Sequence, residues 1–469
     1  MNLNYLTIKE ARKGLKNKTY SSEELIKSCL EQIKKHNKEI NAYITILEEE
    51  ALIEARKADK LLAGNNILPL LGIPIAHKDL FLTKGVKTTA SSKVLENYIP
   101  QYDATVVKKL RKAGAITIGK LNCDAWAHGS SGENSDFNPV KNPWNKNHVP
   151  GGSSSGSAAS VACDMCFAST GTDTGGSIRL PASFCNVVGI KPTYGRVSRY
   201  GIIAMASSFD SIGHFTKTVE DSALLLNITA GKDPSDATTP DRKPDNYLED
   251  INKNIRGIKI GVPKEYFSSG IDEKIKEKIN DAINFYEKQG AMVEEVSLPN
   301  SEYAIACYYI IQPAEVSSNL ARYDGIRYGG KRNDFGDEAK RRIMLGTFTL
   351  SAGYYDAYYK KAMQVRTLIK KDFENVFKKV DVLVSPTSPS LPWKLGEKTG
   401  DPLKMYLSDI YTVTANLAGI PGLSIPAGFE KGLPIGMQIL GPQFSEKLLY
   451  QLGHAFEINH SFAKEKPNL

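Results

Sequence analysis

The 469-residue chain is long enough for two hydrophobic cores or one large decorated α/β unit, and its 41% hydrophobic and 24% charged residues exclude intrinsic disorder. The net charge of +8 comes from 60 basic against 52 acidic residues, interleaved along helical stretches in a solvated-surface pattern that gives no ground for nucleic-acid binding. The first twenty residues carry Lys9, Glu10, Arg12, Lys13, Lys16 and Lys18 where an export signal needs apolar residues, and residues 68–76, broken by Pro69, Gly72 and Pro74, fall far short of the ~20 residues of a membrane span, so a cytoplasmic protein without membrane contact is expected.

Ser21 and Glu24 form a capping box ahead of Leu25, Ile26, Cys29, Leu30 and Ile33, which share one helical face, and residues 1–65 read as a helical region. Asp103 is placed to cap a helix that ends at Lys112 and Gly114. Lys108, Lys109, Arg111 and Lys112 make its basic face, and residues 115–119 follow as a buried strand. Residues 138–200 are rich in Gly, Ser, Pro and Thr, ordered around short apolar runs, a composition suited to close backbone approach. Residues 232–246 read as an exposed loop.

A strand at 258–262, a charged helix at 273–288, a strand at 291–298, a mainly helical stretch at 302–379 and a strand at 380–384 ended by Pro386 complete an α/β alternation without internal repeats. The six cysteines are too scattered for a disulfide framework, and the Cys163/Cys166 pair, set among Ala162, Met165 and Phe167, reads as buried small hydrophobes. The seven histidines form no HxxxH or HxH pair, so no metal is expected.

Two segments carry the chemistry: residues 151–157, GGSSSGS, and residues 171–179, GTDTGGSIR. A serine after two glycines can occupy a tight turn with its hydroxyl exposed and neighbouring N–H groups directed at one cavity, the pairing that acyl transfer requires. The first segment lacks the Gly-Lys-Ser/Thr ending of a phosphate-binding loop, and neither shows a Gly-x-Ser-x-Gly elbow; alone, GGSSSGS reads as a flexible turn. A serine needs a base, and GIPIAHKD at 72–79 offers His77 and Lys78. Lys78 qualifies only if burial lowers its pKa.

GGSSSGS, the serine of GTDTGGSIRLPA and the upstream GIPIAHKD together resemble the amidase signature family. The resemblance implies a single domain over residues 1–469, with a central mixed β-sheet surrounded by helices. Its parts would be a helical region at 1–65, the catalytic motifs at 66–230, a substrate-side helical region at 302–379 and a return to the core at 380–469. By motif, Ser177 would be the nucleophile, Ser153 the bridging serine and Lys78 the base and later the acid, with backbone N–H groups of Thr174, Gly175 and Gly176 as oxyanion hole.

Residues 308–329, 340–359 and 418–429 resemble in particular the glutaminase subunits of tRNA-dependent amidotransferases within that family. This implies glutamine as substrate, two further subunits in a heterotrimer, misacylated tRNA held mainly by a partner, and ATP and Mg²⁺ used by that partner rather than by this chain. Arg342 would pair with the α-carboxylate of glutamine, Asp409 with its α-ammonium, and Tyr308 would line the pocket beside Gly129 and Ser130. Outside the resemblance, Arg342 reads as part of a solvated basic face with Lys340 and Arg341, Asp409 as a surface or capping acid, and Tyr308 as core. Residues 122–128, NCDAWAH, depart from the family pattern next to the pocket, where His128 reads as a packing or pocket-lining residue. A free-standing amidase for a small or aromatic amide, and a non-catalytic scaffold, are the competing readings.

Overall fold

In the computed structural model, residues 2–64, 68–268, 270–326 and 329–469 are described; residues 327–328, within the stretch that resembles the glutaminase subunits, lie outside them. In chain order the strands are β1 (Tyr43–Ile46), β2 (Pro74–Lys78), β3 (Ile116–Leu121), β4 (Ala168–Asp173), β5 (Val188–Lys191), β6 (Ser211–Thr216), β7 (Lys259–Pro263), β8 (Met292–Val296), β9 (Val382–Pro386), β10 (Gly422–Glu430) and β11 (Leu433–Leu440). They form one mixed sheet in the order β1-β3-β2-β4-β6-β5-β10-β11-β9-β7-β8. β2 runs parallel to both β3 and β4, and β7 to both β8 and β9; the other pairings are antiparallel. The α/β class with a mixed sheet flanked by helices is as expected.

Helices cover both faces because the central strands are buried on both sides: every residue of β2, β4, β5 and β6 is buried. One continuous cluster of buried side chains joins Ile8 near the N-terminus to Phe456 near the C-terminus. Ser21 caps the helix Ser22–Ile40, and Glu24 answers it, completing the capping box read from sequence.

Three local readings are corrected. The helical region at 1–65 contains β1, whose Tyr-Ile-Thr-Ile pairs with β3 over a long sequence separation that no local helix signal reports. Asp103 does not cap the helix Thr105–Lys112; its carboxylate accepts from Lys84 N and pairs with Arg111. The basic face of that helix is partly structural, since Lys109 Nζ donates to Thr229 O (2.9 Å) and Ala230 O (3.0 Å), the carbonyls at the end of the helix Val219–Thr229. Cys163 and Cys166 are free and buried. Among the described residues, no helix is long and apolar enough to cross a membrane, and no cluster of three or more His, Cys, Asp or Glu could hold a metal.

Candidate active site

Lys78 ends β2, a strand hydrogen-bonded on both edges, and its side chain is completely buried. Its Nζ lies 2.8 Å from Ser153 Oγ, 2.9 Å from Ser154 Oγ and 2.8 Å from Thr172 Oγ1. The serines come from the loop before the helix Ser155–Ala162, and Thr172 from β4, the parallel neighbour of β2. Burial is the main force on this amine and lowers its pKa to about 8, against the opposing pull of Cys123, Asp124, Asp210 and Asp173. Ser154 Oγ passes the contact on to Thr172 O at 3.1 Å.

The alternation of a strand sends the preceding side chain the other way. His77 lies between Thr170 Oγ1 (3.4 Å) and Thr117 Oγ1 (3.2 Å) and stacks on Phe81, and burial, then the charges of Lys120 and Arg111, push its pKa down to about 3. Of the two bases the sequence offered, only Lys78 is hydrogen-bonded to Ser153.

Ser177 follows the turn that ends β4, is 8% exposed, and is tied to the serine loop by Ser154 N, which donates to Ser177 O at 3.2 Å. Asp173 organises the turn: its carboxylate accepts from Gly176 N (2.9 Å), Ile178 N (3.1 Å) and Arg179 Nε (3.1 Å). Burial opposes this charge, yet the Arg179 guanidinium holds the carboxyl down to about 2. Arg179 is locked in turn by Gln438, Thr412 O and Asn416. Thr174 Oγ1 donates to Asp210 at 2.7 Å, and Thr412 Oγ1 to Gly175 O at 2.7 Å.

The Gly176 N–H, expected in the oxyanion hole, is thus already committed to Asp173. Among the described residues the amides of Thr174 and Gly175 have no such partner. A side chain at Gly175 would meet the Tyr308 ring at 2.8 Å, and Gly176 sits at φ +140° against Thr412, so the turn admits only glycine at both positions.

Tyr308 therefore packs directly on the Gly175–Gly176 turn, and it is buried. Asp409 is 5% exposed and accepts hydrogen bonds from Ser130 Oγ (2.8 Å) and Tyr309 OH (3.0 Å); burial raises its pKa to about 7. Gly129 packs against Asp124, whose carboxylate accepts from Gly132 N and Asn134 N and so shapes the turn that presents Ser130. Arg342 corrects the solvated reading: it is 3% exposed, with Nε 2.7 Å from Glu338 Oε1 and Nη1 3.1 Å from Gln312 Oε1, and it lies over the rings of Tyr309 and Tyr406. Of the three consecutive basic residues Lys340, Arg341 and Arg342, only Arg342 is buried. In the stretch that departs from the family pattern, Cys123 Sγ meets Ser91 Oγ at 3.2 Å, while His128 is fully buried with neither ring nitrogen hydrogen-bonded.

Sequence reasoning missed Ser154 and Thr172 around Lys78, Asp173 and Asp210 around the turn, and Tyr309, Tyr406, Gln312 and Glu338 around Arg342 and Asp409. Glu338 was accessible as the i−4 partner of Arg342 on one helix. Asp173 lies three to six residues from its partners Gly176, Ile178 and Arg179, inside the quoted motif, and the rest depend on contacts between distant segments. A cavity of about 1100 Å³ lined by Tyr98, Tyr102, Arg199, Tyr200 and Tyr323 reaches this region only at Asp210.

Comparison with known proteins agrees with this arrangement. A family model described as Amidase matches residues 24–450. The chain is 54% identical over 485 residues to the A subunit of glutamyl-tRNA(Gln) amidotransferase from Carboxydothermus hydrogenoformans, covering 100% of both chains. It is 51% identical to the protein of the same name from Pseudomonas entomophila, across 99% of this chain and 100% of that one. The crystal structure of the corresponding Thermotoga maritima protein matches with a TM-score of 0.84 and 44% identity, over 97% of this chain and 95% of that one.

Proposed function

We propose, from the premise that the chain belongs to the amidase signature family, that it is the glutamine-hydrolysing subunit of a tRNA-dependent amidotransferase. It releases ammonia for amidation of misacylated Glu-tRNA(Gln), or Asp-tRNA(Asn), by a partner. Neutral Lys78 takes a proton through Ser153 as Ser177 Oγ attacks the side-chain carboxamide of glutamine. The N–H groups of Thr174 and Gly175 stabilise the oxyanion. The relay then protonates the departing nitrogen, ammonia leaves, and water resolves the acyl-enzyme to glutamate.

The observation that carries the chemistry is the buried amine held by three hydroxyls, with burial bringing its pKa to about 8. For the substrate, support comes from the buried opposite charges Arg342 and Asp409, joined through Tyr309, which bonds one and stacks near the other. These suit the α-carboxylate and α-ammonium of an amino acid, with Tyr308 and the Gly129–Ser130 turn completing the walls. Within a cytoplasmic heterotrimer, one partner would use ATP and Mg²⁺ to activate the tRNA-borne acid.

Ammonia release from glutamine, with and without partner subunits, tests the reading. Ser177→Ala is expected to lower the rate about a thousandfold or more. Ser177-dependent release from other amides but not from glutamine would leave a free-standing amidase instead.

A further inference from the structure

Three residues of the helix Ala304–Leu320 lie on one face, at positions 308, 309 and 312, spaced as i, i+1 and i+4. Tyr308 meets the catalytic turn, Tyr309 donates to Asp409, and Gln312 accepts from Arg342. The third contact settles the orientation of the Gln312 amide: Oε1 accepts from the guanidinium, so Nε2 is the free end. Gln312 is completely buried, and among the described residues its Nε2 has no partner. A donor is thereby held beside the guanidinium with no described residue to receive it.

His128 repeats the pattern. It immediately precedes the Gly129–Ser130 turn, its backbone carbonyl is fixed by Asn134 Nδ2 at 3.0 Å, and its fully buried ring leaves both nitrogens unpaired. Burial, and then the nearby charge of Arg342, keep that ring neutral, so one nitrogen carries a proton to donate.

We infer that Gln312 and His128 are specificity-determining residues for the carboxylate half of the substrate: Gln312 Nε2–H donates to the carboxylate that pairs with Arg342, and the His128 ring donates to it from the turn that carries Ser130. This rests on the reading of Arg342 as the carboxylate site. A second, uncharged donor pair distinguishes an amino acid from an amine amide of the same length, which a lone guanidinium already paired to Glu338 does weakly.

The test compares glutamine with 4-aminobutanamide, which keeps the ammonium and the carboxamide but lacks the α-carboxylate. Ammonia release is measured with the full chain in the presence of its partner subunits. Gln312→Leu is expected to reduce the ratio of kcat/KM values for the two substrates about tenfold to a hundredfold, the scale of a hydrogen bond to a charged group, and His128→Met about tenfold. Gln312→Glu, which keeps the shape but sets a carboxylate against Arg342, is expected to lower the ratio further. Because each variant is its own control through the analogue, general damage to the fold lowers both rates and leaves the ratio unmoved. An unchanged ratio in Gln312→Leu and His128→Met overturns the inference alone. A wild-type protein with no preference for glutamine over the analogue overturns the carboxylate reading of Arg342, and the inference with it.

Discussion

Around Lys78 three hydroxyls converge on one amine, and the aspartate behind the glycine turn is hydrogen-bonded on both oxygens. Around Arg342 and Asp409 the polar groups are equally buried, yet Gln312 and His128 retain unused donors, and Asp409 is raised toward neutrality rather than held down as Asp173 is. The hydroxyl cage around Lys78 is satisfied without substrate, whereas among the described residues the second region keeps buried donors unpaired. A relay must be preorganised before reaction, because reorienting its dipoles would add to the barrier, whereas a recognition pocket gains selectivity when its buried groups are satisfied only by the correct ligand.

The largest effect that would break this contrast is at the amine. Lys78→Ala should lower kcat/KM for glutamine about a thousandfold or more, and a variant with substantial residual activity would mean that the hydroxyl cage is not the relay. The pH profile sharpens the comparison. Lys78 acts as a base only when neutral, so kcat should rise with pH through about 8. Asp409 binds an ammonium only when ionised, so KM should rise as pH falls below about 7. Asp409→Asn should raise KM about tenfold to a hundredfold and abolish the KM limb while preserving the kcat limb.

Stability gives a separate readout through Asp173→Ala. It strands the buried Arg179 guanidinium and should cost about 3–5 kcal/mol of unfolding free energy, read from denaturant midpoints. A loss under about 1 kcal/mol, on the scale of an exposed ion pair, would sink the claim that this pair organises the turn.

The same contrast governs what could be read from sequence. The glycine turn and the serine-rich loop are legible because Gly175 and Gly176 require a particular backbone, and such requirements are written locally. Outside the resemblance Arg342 reads as solvated, because its burial is decided by Gln312 and Tyr406, 30 residues before and 64 after it in the chain. The residues alone leave His77 and Lys78 open as bases, and the resemblance chooses Lys78; in the structure Lys78, not His77, is the one hydrogen-bonded to Ser153. β1 is not legible because its partner β3 lies beyond the helices Glu48–Ala63 and Thr105–Lys112 and the strand β2, and the Gly176 amide reads as part of the oxyanion hole because Asp173 precedes it too closely for spacing to reveal the capture.

The pairing of β2 with β4 has a wider consequence. In β2 and β4, Ala76 aligns with Ser169 and His77 with Thr170. A slip of a single position in one direction would bring the imidazole of His77 among the three hydroxyls; in the other it would bring the carboxylate of Asp79 there and put the amine where Thr117 and Thr170 now hold His77. The slipped molecule would keep its helices and most of its apolar burial, but it would be chemically silent. Turnover is therefore sensitive to the alignment of the central strands, to which spectroscopy of secondary structure is blind.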